Sequence, residues 1–177
     1  MPEHMRFMLP EIYLEKPGET EKIAAIRKAM HDYIDNGILQ NLGEGFVFTR
    51  RSVGGNTRNG LVDALDLECS DYSKCTTTLI RATEGTIVER IPPRLKVREG
   101  ACLELPHIMI LIDDPDRRII EPLFEKTGSF SKLYDTDLMQ NGGHISGWFI
   151  PKGEDTDAIE AGLEALCDRE TFNAQYG

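Results

Sequence analysis

The residues best suited to chemistry lie in a stretch rich in glycine and arginine, which covers positions 50–60. Glycines let backbone N–H groups approach an anion closely, and arginine guanidinium groups make paired hydrogen bonds to phosphate or carboxylate. A short helix expected over 61–65 would add the partial positive charge of its first turn. The predicted ligand-binding residues are Arg50, Arg51, Gly54, Gly55, Asn56, Thr57 and Arg58.

The same stretch also suits a plain hairpin turn. It matches neither of the established glycine-rich phosphate motifs, G-x-x-x-x-G-K-[ST] and G-x-G-x-x-G. In a turn the glycines would supply backbone geometry and the arginines would only keep the surface soluble. Both interpretations stay open at the level of sequence.

A second group of candidates is acidic and follows an apolar run at 108–112. Carboxylates that come directly after a buried strand are well placed to bind Mg²⁺ or to act as bases. Asp113 and Asp114 are therefore candidate catalytic residues, with Asp116 beside them. The Asp-Pro-Asp pattern equally suits a turn or a helix cap.

A third candidate for acid–base chemistry is His144, which ends the sequence Asn-Gly-Gly-His. His144 and His107 both flank predicted strands, so that together with an acid they could hold a divalent metal. No histidine pair shows the helical spacing of known zinc motifs, however, and the closest cysteines are spaced C-x5-C. We predict no metal site, no structural zinc and no disulfide among Cys69, Cys75, Cys102 and Cys167.

Hydrophobic periodicity predicts the elements that must position these residues. Apolar positions recur at helical spacing over 19–36, and Asn36-Gly37 is a typical helix stop. The final helix is expected over 155–169, and strands are expected over 46–49 and 145–150. These four elements have the clearest patterns in the chain.

The remaining elements are read from shorter runs, and residues 1–17 look like an N-terminal arm. The continuously apolar run at 108–112 should be a central strand, covered on both faces. The other expected elements are a hairpin formed by 76–81 and 86–91, strands over 95–98 and 102–105, and a helix over 121–128.

The order of these elements indicates the fold class. Strands and helices do not alternate strictly, which argues against a doubly wound parallel sheet. We predict an α+β fold, with a mixed or mainly antiparallel sheet and helices packed on one face. A chain of 177 residues suits one domain, expected over 1–177.

Charge restricts the partners of this chain. The formal net charge is −10, and an acidic chain repels a phosphate backbone, so no nucleic-acid partner is expected. Residues 46–100 differ, with 9 basic and 7 acidic side chains, a balance that could hold a small anion. No apolar run is long enough for a membrane span or a signal peptide, so we expect a cytoplasmic protein without a membrane partner.

Two functions of different class fit these observations. The first is an enzyme or enzyme subunit that binds a small anionic metabolite bearing phosphate or carboxylate. The second is a non-catalytic module that senses a ligand or binds another protein. The separation of charge along the chain also fits a homodimer, in which the basic middle faces the acidic tail. The sequence identifies no cofactor.

Overall fold

The computed structural model describes residues 7–66, 87–105 and 107–166. The chain separates into two compact units. The first unit comprises Met1–Asn41 and Thr83–Ile110, and the second comprises Leu42–Ala82 and Leu111–Gly177. The single domain expected from chain length stays a prediction. No helix among the described residues is long and apolar enough to cross a membrane.

The first unit is helical in its described residues. Helix α1 (Glu19–Asp35) confirms the predicted helix over 19–36. It ends where Gly37 takes a positive φ of 68°, a conformation that favours glycine. Helix α2 (Ile91–Arg98) begins with prolines in its first turn. Proline is tolerated there because the N–H groups of a first turn have no intrahelical partner. The predicted strand over 95–98 is therefore wrong.

Aromatic and aliphatic side chains form the core of the first unit. Ile26 and Met30 of α1 are buried against Phe7, and the Phe7 ring meets Tyr33 edge-on at 4.7 Å between centroids. Leu103 and its neighbours pack against this cluster without forming the strand that was predicted over 102–105.

The predicted central strand over 108–112 is also wrong. The side chains of Ile108, Met109 and Leu111 are 82%, 66% and 77% exposed, and the backbone forms no strand. A continuous apolar run predicts burial, but it does not supply a neighbouring strand with which to pair.

The second unit contains a four-stranded antiparallel sheet. Its strands are β1 (Gly45–Val53), β2 (Asn56–Val62), β3 (Ser131–Leu138) and β4 (Gly143–Pro151). The spatial order is β2-β1-β4-β3, so β1 and β4 are central and β2 and β3 form the edges. The two central strands confirm the strands predicted over 46–49 and 145–150.

One face of this sheet carries the core of the second unit. Phe48 of β1 lies opposite Trp148 of β4, and Phe46 lies opposite Ile150. Helix α3 (Glu154–Leu166) contributes Ile159 to this cluster, and the segment before β3 contributes Ile119 and Leu123. The α+β class, with an antiparallel sheet and helical segments on one face, is thus confirmed.

Other predictions for this unit differ from the structure. Positions 61–65 form no helix, because Leu61 and Val62 complete β2. The helix expected over 121–128 is a single 3-10 turn, Glu121–Phe124. Strand β3 was missed. Residues 76–86 of the predicted hairpin lie outside the described residues, and Val88–Arg90 beyond them is a 3-10 turn.

Candidate functional site

The stretch at 50–60 is a tight β-hairpin. Val53 pairs with Asn56, so only Gly54 and Gly55 lie between β1 and β2. Both glycines have positive φ, 56° and 84°, as the two-residue turns that match the twist of a hairpin require. No helix follows the turn.

The hairpin sends its arginines to opposite faces of the sheet. Arg51 lies directly opposite Arg58, so the two side chains share one face. Arg50 faces the other way because successive residues of a strand alternate. Its guanidinium lies 3.6 Å from the centroid of the Phe124 ring, on the face that carries the core. The structure therefore brings Arg51 and Arg58 together and separates Arg50 from both.

A shallow cavity lies at the end of the hairpin. It has a volume of about 350 Å³ and is lined by Arg51, Val53, Asn56, Thr57 and Arg58. Four of these five are predicted ligand-binding residues, and none is acidic. The Arg51 Nε and Nη2 atoms donate to the Gly142 carbonyl at 3.1 and 2.8 Å, which fixes the guanidinium in place. The cavity is therefore an open, cationic surface in which the Arg51 guanidinium is held in place.

On the face of the sheet opposite to Arg51 and Arg58, polar side chains form two rows. Each row contains one residue from each of the four strands. Along β1, these two rows come directly after the apolar row that contains Phe48 and Trp148, on the same face. The first row is Asn59, Arg50, Ser146 and Asp135, and the second row is Thr57, Ser52, His144 and Asp137. Ser52 and Thr57 bond to each other through their hydroxyls at 2.8 Å.

His144 is the centre of a hydrogen-bonded cluster in these rows. Its Nε2 lies 2.6 Å from Asp135 Oδ1, and its Nδ1 lies 2.8 Å from Asp137 Oδ1. The buried Ser146 hydroxyl donates to Asp135 Oδ1 at 3.0 Å. Lys132 donates to the other oxygen of Asp135 at 2.6 Å. The cluster thus links the last part of β3 to the beginning of β4.

The hydrogen bonds of this cluster shift two pKa values. Those to Asp137 and then to Asp135 raise the pKa of His144 above its ordinary value, because they favour the charged imidazolium. Hydrogen bonds from Lys132, then from His144 and Ser146, hold the pKa of Asp135 well below its usual range. Asp135 therefore stays ionised and the protonated form of His144 is favoured.

The other two predicted catalytic residues lie elsewhere in the second unit. Asp114 accepts the backbone N–H groups of Arg118 and Ile119 at 2.7 and 2.9 Å, so it caps a turn. Asp113 is exposed. The hydrogen-bond partners of His144 are Asp135, Asp137 and Ser146, and the structure does not add Asp113 or Asp114 to them.

The described residues contain no group of three or more histidine, cysteine or acidic side chains that could hold a metal ion. Cys102 is a free, exposed thiol. Cys69, Cys75 and Cys167 lie outside the described residues. The predictions of no metal site and no disulfide therefore stay predictions.

Sequence reasoning missed the partners of His144 because it missed β3. Part of the signal was present: the segment His144-Ile145-Ser146 alternates polar and apolar residues at the strand period. Asn141-Gly142-Gly143 directly before it is a turn signal. Reading the residues on the two sides of this turn as a hairpin would have placed Asp135 and Asp137 beside His144 and Ser146.

Comparison with known proteins identifies a family. Residues 2–168, nearly the whole chain, match the model of a family described as "Protein of unknown function (DUF1015)". No curated protein matches the chain, and no solved structure matches it.

Proposed function

We propose that the chain, which belongs to the DUF1015 family, binds a small anionic metabolite bearing phosphate or carboxylate at the β1–β2 hairpin. The observation that carries this proposal is the cavity in which Arg51 and Arg58 share one face with no acidic residue in the lining. Two guanidinium groups on one surface attract an anion, and each presents a planar set of donors that fits phosphate or carboxylate oxygens.

The position of Arg51 supports the proposal further. Two hydrogen bonds to the Gly142 carbonyl hold its guanidinium before any ligand arrives. An already ordered side chain loses less conformational entropy on binding, so more of the interaction energy becomes affinity. The Asn56 side chain, whose residue also lines the cavity, can donate its amide to further oxygens of the ligand.

Binding is better supported than catalysis. None of the three predicted catalytic residues, Asp113, Asp114 and His144, lines the cavity. His144 lies on β4, next to β1, in the row that contains Ser52 and Thr57. The proposal of an enzyme or enzyme subunit therefore requires a reacting group supplied from outside this lining.

A second candidate function, a ligand-sensing or interaction module, is favoured by a cavity within the first unit. This cavity has a volume of about 310 Å³, and Phe7, Met8 and Leu9 are among its mostly apolar lining residues. An apolar site of this kind suits a hydrophobic side chain of a partner, including a second copy in a homodimer. The expectations of a cytoplasmic location and of no nucleic-acid partner rest on the sequence alone.

The test is calorimetric titration with sulfate, phosphate and phosphorylated or carboxylated metabolites. Arg51→Gln and Arg58→Gln should each weaken binding by about 1.5–3 kcal/mol, the range for hydrogen bonds to charged groups. Arg90→Gln is the matched control, because it removes the same charge from an exposed position in the first unit. Binding that survives loss of both cavity arginines, or no binding of any anion at millimolar concentration, would contradict the proposal.

A further inference from the structure

A continuous path of contacts leads from His144 to the proposed anion site. Asp137 pairs with His144, and Leu138 pairs with Gly143, at the end of the β3–β4 ladder. The turn between these strands then presents the Gly142 carbonyl, which accepts both hydrogen bonds from Arg51. Whatever fixes the end of β3 against β4 therefore also fixes the anchor of Arg51.

The protonation state of His144 decides whether its ring can donate hydrogen bonds to both Asp135 and Asp137 of β3. Both ring nitrogens lie within hydrogen-bonding distance of an aspartate oxygen, at 2.6 and 2.8 Å. Only the imidazolium has an N–H on each nitrogen, whereas the neutral ring has one. After deprotonation, one nitrogen lone pair must face a carboxylate oxygen, and that contact becomes repulsive.

The groups that face His144 indicate that the change in these hydrogen bonds depends on the proton of His144 itself. On β3 they are the two aspartates, and Lys132 is already bound to Asp135. On β4 the neighbour on the same face is the Ser146 hydroxyl, 3.3 Å from Nε2. On β1 the residue in register with His144 is Ser52, which is uncharged, and Arg50 lies opposite Ser146 in the next row.

We propose that His144 makes anion binding at the hairpin cavity depend on pH, by clasping β3 to β4 and so holding the turn that anchors Arg51. This inference rests on the proposed function and adds a regulator to the same site. In the clasp, the protonated His144 donates hydrogen bonds to both Asp135 and Asp137. This state has the high affinity for the anion. The neutral state releases Asp135 or Asp137, loosens the turn and leaves Arg51 less ordered.

The direction of the pH effect follows from the raised pKa of His144. A group whose pKa is higher in the folded protein stabilises the fold fully below its ordinary pKa of about 6.5 and loses that contribution as pH rises through the folded value. Because the protonated state of His144 is the one with high affinity, sulfate affinity should be highest at about pH 6 and below, and should fall as the solution becomes alkaline. Sulfate is the appropriate probe because, unlike phosphate, it does not change charge in this range.

The experiment measures sulfate binding between about pH 5 and about pH 9 for the wild type, His144→Gln and His31→Gln. The expected result is a several-fold loss of affinity with rising pH in the wild type and in His31→Gln, whose histidine is exposed on α1. His144→Gln should bind more weakly at low pH and show no such dependence. NMR titration of the His144 ring without sulfate should give the same midpoint as the binding curve.

The outcomes separate this inference from the proposed function. If sulfate binds but His144→Gln keeps the wild-type pH dependence, the regulation is overturned and the anion site stands. If the ring titrates at the ordinary value of an exposed histidine, the clasp itself is refuted. If sulfate binds at no pH, the anion site and its regulation both fail.

Discussion

Replacing Arg50 by glutamine distinguishes the site defined by the structure from the loop suggested by the sequence. Arg50 lies on the core-bearing face, with its guanidinium 3.6 Å from the Phe124 ring centroid. A cation over an aromatic ring contributes about 0.5–1 kcal/mol at an exposed site and about 2 kcal/mol when desolvated. Arg50 is half-buried and Phe124 is 41% exposed, so we expect Arg50→Gln to cost about 1 kcal/mol of unfolding free energy.

The same substitution should leave sulfate affinity unchanged, because Arg50 does not line the cavity. Urea denaturation measures the first effect and calorimetry measures the second. A double-mutant cycle with Phe124→Leu isolates the stacking, since that substitution removes the ring but keeps an apolar side chain. The coupling energy should account for most of the loss in Arg50→Gln.

Two results would refute this reasoning. A tenfold loss of sulfate affinity in Arg50→Gln, equal to about 1.4 kcal/mol, would show that residues 50–60 bind as one loop regardless of strand alternation. A coupling energy near zero with Phe124→Leu would show that the ring contact does not hold Arg50 on its face.

Three further predictions concern stability and are measured by chemical denaturation. Phe48→Ala should cost about 3–5 kcal/mol, because Phe48 is fully buried and its loss opens a cavity beside Trp148; a cost under about 1 kcal/mol would contradict the assigned core. Gly147→Ala should cost about 1–3 kcal/mol, because an added Cβ would collide with the Tyr134 ring; an unchanged midpoint would contradict this contact. Asp114→Ala should cost about 1–3 kcal/mol through loss of its two backbone hydrogen bonds, whereas Asp113→Ala, at an exposed position, should be nearly neutral; equal effects would contradict the cap.

The elements predicted correctly are those whose apolar pattern has a definite period and a definite end. Helix α1 combines an apolar stripe with a glycine stop, and both are visible in sequence. Strands β1 and β4 carry large apolar side chains at alternate positions, as the pairs of Phe48 with Trp148 and of Phe46 with Ile150 show. In these cases local pattern and tertiary packing require the same conformation.

The failures occur where the pattern and the tertiary environment disagree. Residues Ser131–Leu138 have few apolar positions, because β3 is an edge strand whose side chains are almost all exposed. The run at 108–112 has the opposite property: every residue is apolar, yet the backbone forms no strand and Ile108 is 82% exposed. Hydrophobicity alone thus overlooks an exposed edge strand and places in the sheet an apolar segment that forms no strand.

The candidate site depended on a smaller piece of information, the register of one hairpin. Reading 50–60 as a loop treats its three arginines as equivalent, whereas a two-residue turn at Gly54 and Gly55 fixes every pair by counting outward. That register places Arg51 opposite Arg58, although seven positions separate them in sequence, and turns the adjacent Arg50 to the other face. Moving the turn by one residue would shift these pairings, so the composition of the stretch is not sufficient to define an anion site. The same counting across the turn before Gly143 brings Asp137 to His144, so both ends of the proposed regulatory path follow from turn geometry rather than from any sequence motif.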